Sequence, residues 1–109
     1  MAVSILHILV VDDDLSVCDA LAFALRASYV VHEAASGKEA CAILRTHPIA
    51  GIILDAVLDG EDGLDLVKSF RTLSPAKILL LTGHSTEDLA IRAVRAHVDE
   101  YLKKPPSLR

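Results

Sequence analysis

Aromatic residues make up only 4% of the chain, cysteine occurs twice, and no apolar run is long. Each scarcity excludes something. Cys18 and Cys41 are too few for a disulfide framework, and both stand among apolar residues at helical spacing, so they read as buried thiols in a reducing cytoplasm. No stretch approaches the roughly 18 consecutive apolar residues that would cross a bilayer, and "MAVSILH" lacks a basic leader. Positive charge is also short: 11 Lys and Arg against 15 Asp and Glu leave a net charge of −4, which argues against this domain gripping nucleic acid. What remains is aliphatic. With 109 residues, 52% of them hydrophobic, residues 1–109 predict one compact soluble domain with a real core.

Short aliphatic runs alternate with helix-period segments. The runs are Ile5 to Val11, Tyr29 to Ala34, Ala50 to Leu54, Lys77 to Leu81 and Asp99 to Leu102. Between them apolar residues recur at three and four, as in Val17, Leu21 and Leu25, or Val67, Phe70 and Leu73. The continuous character of "ILVV", "GIIL" and "ILLL" predicts strands covered on both faces, as in a parallel sheet flanked by helices. "SGKE" from Ser36 and "STED" from Ser85 each offer a serine cap with an acid three residues on, the pattern of a capping box. The expected fold is therefore α/β, a doubly wound five-stranded parallel sheet. In such folds ligands gather at the carboxyl ends of the strands, near the point where strand order reverses.

Those ends carry nearly all the polar chemistry. The first run ends in Asp12, Asp13 and Asp14, the third in Asp55, the fourth in Thr82, and the fifth in Lys103 and Lys104. Adjacent carboxylates repel unless a cation lies among them. An all-oxygen set from Asp12, Asp13 and Asp55 suits a hard divalent ion such as Mg²⁺, which takes few protein ligands and leaves room for phosphate oxygens. A lysine, a threonine hydroxyl and an aspartate able to attack complete what a transferring phosphoryl group requires. Asp14 reads as a helix cap, Lys103 as a residue facing solvent, and Asp59, Glu61 and Asp62 as a solvated loop and cap. His7, His32, His47 and His97 show no ligand spacing.

"ILVVDDD", "GIILDAVLDGEDG", "LLLTGHS" and "EYLKKP" together resemble the receiver domain of bacterial two-component response regulators, from about Ile5 to Pro106. The resemblance implies the flavodoxin-like strand order 2-1-3-4-5 and a role in signalling rather than as an enzyme, assisting its own phosphotransfer and autodephosphorylation. It implies Asp12, Asp13, Asp55 and the backbone carbonyl of Val57 as Mg²⁺ ligands. Asp55 matches the phosphoacceptor, Thr82 and Lys104 the groups that hold the phosphoryl oxygens, and Tyr101 with Thr82 the switch pair. It also implies a cis Lys104–Pro105 bond, a sensor histidine kinase or phosphotransfer protein as donor, and an output domain beyond Arg109, expected to bind DNA. No membrane contact is implied. A flavin protein of similar topology would need a phosphate loop where three acids stand, and an aspartate-nucleophile phosphatase would need a second acid where Val57 stands.

The chain also departs from that family. Asp59 replaces the usual proline four residues after Asp55, which with Gly60 adjacent predicts a looser loop and an extra charge by the site. That loop motivates an alternative, a docking domain that acts without phosphorylation. Gly83 stands where alanine is commoner, and His84 lies near enough to be a candidate contact. The chain stops at "PPSLR", where Ser107 reads as the cap of a fifth helix that is truncated or absent. Apolar surface left beside the last strand would then favour association, including a homodimer.

Overall fold

A computed structural model describes residues 5–83 and 86–105. The expectations for His84, Ser85 and Ser107 lie outside that range. The chain order is β1 (His7–Val11), α1 (Leu15–Leu25), β2 (Val30–Ala34), α2 (Gly37–Thr46), β3 (Ile49–Leu54), β4 (Val57–Leu58), β5 (Glu61–Asp62), α3 (Gly63–Leu73), β6 (Lys77–Thr82), α4 (Glu87–Arg95) and β7 (Glu100–Lys103). The main sheet runs β2-β1-β3-β6-β7, all parallel, which is the order 2-1-3-4-5 once the two-residue strands are set aside.

Handedness places the helices. The chain moves outward from β1 to β2 and then back across to β3, so right-handed crossovers put α1 on one face and the later helices on the other. On the face of α2, α3 and α4, the residues Leu9, Val11, Ile52, Leu54, Ile78 and Leu80 pack against Ala40, Leu44, Val67, Phe70 and Leu89. Each fully buried Val, Leu, Ile or Phe side chain there contributes about 1.5–3 kcal/mol. The second face departs from the expectation of full cover. There α1 buries Val17, Cys18 and Ala22, but Ile8, Ile53 and Leu79 are only half-buried and line a groove with Leu25 and Tyr29. The physical reason is that α1 packs chiefly on β1 and β2, at one edge of that face.

Local chemistry sets the helix starts, with two corrections. Ser36 caps α2 by accepting from the Glu39 amide at 3.2 Å, but the Glu39 carboxylate reaches past the cap to the Ala35 amide at 3.0 Å. The cap of α4 is Thr86, which accepts from the Leu89 amide at 3.1 Å, so the start falls one residue later than "STED" suggested. Cys18 is buried and donates to the Asp12 carbonyl at 3.2 Å; burial and then the Asp12 charge push its thiol up to about 11. Cys41 is only half-buried, on the rim of the core rather than inside it.

The histidines hold a surprise. His7 on β1 and His32 on β2 share a face, with His7 Nδ1 and His32 Nε2 at 2.9 Å, and His47 at the end of α2 lies with its ring 4.4 Å from that of His32. Sequence spacing gave no hint, because the cluster depends on strand register and on where α2 ends.

Candidate functional site

The strand order reverses between β1 and β3, and the polar cluster sits at their carboxyl ends. Asp12 follows β1, its amide bonded to the Ala34 carbonyl at 3.0 Å, and Asp55 follows β3, its amide bonded to the Val11 carbonyl at 3.0 Å. The ladder therefore extends one step past the strands and fixes both aspartates side by side. Each uses one oxygen for its own loop: Asp12 Oδ1 accepts from the Asp14 amide at 2.9 Å, and Asp55 Oδ1 from the Val57 amide at 3.0 Å. The other oxygen of each meets Lys104. Its Nζ donates to Asp12 Oδ2 and to Asp55 Oδ2, both at 2.7 Å.

All three residues are buried, with Asp12 2%, Asp55 7% and Lys104 6% exposed overall. A buried pair of ionised carboxylates is costly unless a cation lies between its members. Burial raises the Asp12 pKa against the opposing bond from Lys104. Burial would lower the Lys104 ammonium, but its bonds to Asp12 and Asp55 outweigh that and raise it. The lysine is thus held charged. It arrives by way of β7, and its amide donates to the Thr82 carbonyl at 2.8 Å.

Asp13 is exposed, and its Oδ2 accepts from the Asp59 amide at 2.7 Å. One oxygen from each of Asp12, Asp13 and Asp55 lies within 4.8 Å of the others. An octahedral Mg²⁺ shell with bonds of about 2.0–2.1 Å spans roughly 4.2 Å between opposite oxygens, so small side-chain rotations suffice. The donors are all hard oxygens, and the set fits a divalent ion of that kind.

Other expected residues fall as follows. Thr82 is fully buried at the end of β6, beside Lys103 in register. Tyr101 is half-buried on β7, against the core and a cleft lined by Ala93, Val94 and Val98. Asp14 caps α1 by accepting from the Ser16 amide, Asp62 caps α3, and Lys103 is exposed. The Lys104–Pro105 bond is trans, against the expectation of cis: no cis peptide occurs among the described residues. The ordinary trans form already delivers the ammonium to both carboxylates, so no inversion is needed to aim it.

The loop after Asp55 also corrects its expectation, because it is closed rather than loose. Val57–Leu58 pairs antiparallel with Glu61–Asp62, and Gly60 turns the corner at a φ of 73°. Glu61 accepts from the Gly37 amide at 2.9 Å, and Asp62 pairs with Arg92 at 2.6 Å. These contacts were invisible in sequence, where the three acids read as a solvated loop and a cap; the cap is Asp62. Gly63 closes the loop: its amide bonds the Ala56 carbonyl, and a Cβ there would collide with the Asp55 carbonyl. Only glycine lets α3 start so near the aspartate.

The family model described as the response regulator receiver domain matches residues 8–109. The chain is 34% identical over 105 residues to the regulatory protein VanRB of Enterococcus faecalis, covering 95% of this chain and 48% of that protein. It is 37% identical over 102 residues to the transcriptional regulatory protein ZraR of Salmonella typhimurium, covering 92% of this chain and 23% of that one. The chain thus spans about half, or less, of the length of these curated relatives. Among solved structures, a response regulator protein of Burkholderia pseudomallei, with a phosphorylated aspartic acid, a calcium ion and citrate, matches with a TM-score of 0.87 and 33% identity, over 94% of this chain and 62% of that one. A CheY-like receiver domain protein of Methanospirillum hungatei also gives a TM-score of 0.87, with 28% identity over 94% of this chain and 83% of that one. A doubly wound sheet with its acids and lysine gathered at the reversal point, matched over nearly its whole length by these proteins, belongs to the receiver domain family of two-component response regulators.

Proposed function

We propose that Asp55 is the phosphoacceptor of this receiver, and that Mg²⁺ is held there by Asp12, Asp13, Asp55 and the backbone carbonyl of Val57. The donor is a phosphohistidine of a sensor histidine kinase or phosphotransfer protein. An Asp55 carboxylate oxygen forms the new bond to phosphorus as the P–N bond breaks, and the departing imidazole keeps the electron pair. Mg²⁺ supplies charge neutralisation for the phosphoryl oxygens. Lys104 leaves Asp55 for a phosphoryl oxygen, and Thr82 turns its hydroxyl toward another. Tyr101 then moves inward behind Thr82, altering the face of α4 and β7 that an output reads. One charged group can supply the few kcal/mol of differential interaction that such a switch needs. Autodephosphorylation of Asp55 returns the domain to rest.

The observation that carries this reading is the bridge from Lys104 Nζ to Asp12 and Asp55 at 2.7 Å. It holds a buried aspartate beside a cation ready to follow new negative charge. The relatives give no support to the docking-only alternative. Among the described residues no helix is long and apolar enough to cross a membrane, which accords with the cytoplasm we propose as its location. The proposed reader is a DNA-binding output domain beyond Arg109, and the exposed Ile91, Val94 and Leu102 are the surface through which two copies would associate.

The test is incubation with acetyl phosphate and Mg²⁺ followed by intact-mass measurement. Wild type gains one phosphoryl group and Asp55→Asn gains none. Equal labelling of the two would refute the assignment of Asp55.

A further inference from the structure

We propose that the backbone amide of Asp59 is a positioning group for Asp13, holding in place the one exposed carboxylate of the metal cluster. The inference rests on the reading of that cluster as a Mg²⁺ site. Asp12 and Asp55 are each fixed twice, by Lys104 and by an amide of their own loop. Asp13 has neither support. Its bond comes from 46 residues away, the Asp59 amide donating to Oδ2 at 2.7 Å and leaving Oδ1 for a metal. An exposed side chain that must be ordered when it binds loses rotamer freedom, and a charged acceptor makes a stronger hydrogen bond than a neutral one.

The donor is itself well anchored. Leu58 pairs with Glu61 across the turn, Glu61 accepts from the Gly37 amide at 2.9 Å, and Asp62 is bound to Arg92. So the amide is presented by a hairpin tied at its base to α2 and α4.

What makes the donor available is that residue 59 is not proline. The φ of Asp59 is not positive and that of Gly60 is 73°, the sign pattern of a type II turn. Such a turn accepts proline at its first central position. A φ that is not positive is the sign proline requires, and proline at residue 59 deletes the N–H. The carboxylate of Asp59 is a separate matter, since Asn and Asp present the same amide. Residue 59 is in this sense a tuning position: any residue but proline fastens Asp13.

Groups that orient a metal ligand commonly change affinity by about 10–100-fold when removed. Because Asp13 is exposed, the low end applies. In Mg²⁺ titrations of the whole chain by calorimetry, Asp59→Pro should bind about tenfold more weakly than Asp59→Asn. The two should unfold at similar temperatures in EDTA. Equal Mg²⁺ affinity in these two variants would overturn the inference.

A second measurement needs no proline variant. In metal-free protein the residue 59 amide should exchange with deuterium more slowly in wild type than in Asp13→Ala, and equal rates would also overturn it. The failure of the underlying reading looks different: a wild type that binds no Mg²⁺ overturns both, whereas a wild type that binds Mg²⁺ and is labelled on Asp55 leaves only the role of residue 59 at stake.

Discussion

Replacing Lys104 by methionine keeps the length and most of the volume of the side chain and removes its charge and donors. The structure sets the size of the effect. The Lys104, Asp12 and Asp55 side chains are 7%, 3% and 8% exposed, so after the substitution two adjacent carboxylates are buried without a counter-charge. Breaking a buried pair in this way costs about 3–5 kcal/mol, a large part of the roughly 5–15 kcal/mol that holds a domain folded. At about 4–8 °C per kcal/mol, the melting temperature in EDTA should fall by at least about 12 °C. Adding Mg²⁺ should recover part of the loss, because a bound cation neutralises the same oxygens. Urea unfolding with and without Mg²⁺ measures both quantities. Asp55→Asn should cost less, since it leaves the Lys104–Asp12 bond intact. Combined with Lys104→Met it should relieve part of that variant's loss, with coupling on the order of 2 kcal/mol. A Lys104→Met variant that loses under about 1 kcal/mol in EDTA would refute the claim that this lysine holds the acids in place.

Gly63→Ala puts a methyl group against the Asp55 carbonyl, so it should destabilise by about 1–3 kcal/mol and slow labelling of Asp55 by acetyl phosphate; unchanged stability and rate would contradict the packing. Burial, then His47 from the end of α2 and His7 from β1, lower the His32 pKa below its ordinary 6.5, so the unfolded chain takes up that proton first. The contribution is therefore intact above the ordinary value and is lost as pH falls through it toward the folded one. Between about pH 7.5 and about pH 5.5 wild type should lose more stability than His32→Gln in urea titrations, and parallel losses would count against it.

The fold was legible because continuous aliphatic runs and helix-period segments alternate without ambiguity. The site was legible because its acids, hydroxyl and lysine each stand at a strand end, and the topology of a doubly wound sheet brings those ends together. What sequence could not show depends on register and on single bonds between distant residues. His7, His32 and His47 meet only because β1 pairs with β2 in one particular register and α2 stops where it does. Asp59, Glu61 and Asp62 read as a solvated loop because polar side chains near glycine usually are solvated. Instead the Asp59 amide reaches Asp13, the Glu61 side chain accepts from Gly37, and Asp62, besides capping α3, pairs with Arg92. The Lys104–Pro105 bond shows the opposite error, a family habit carried onto a chain whose ordinary trans geometry already suffices.

The resting site is also what makes it responsive. Lys104 is shared equally between Asp12 and Asp55 at 2.7 Å, so neither carboxylate holds it alone. On the proposed reading, a phosphoryl group on Asp55 adds negative charge within reach of that ammonium and breaks the balance in favour of the new oxygens. The lysine is not free to move by itself. Its amide is bonded to the Thr82 carbonyl and it directly follows β7, which pairs with β6 and carries Tyr101 three residues earlier. A shift of charge at Asp55 therefore pulls on the backbone that joins Thr82 to Tyr101. On that reading one buried cation, which first makes the two buried acids tolerable, would couple the chemistry of the site to the strand that carries Tyr101.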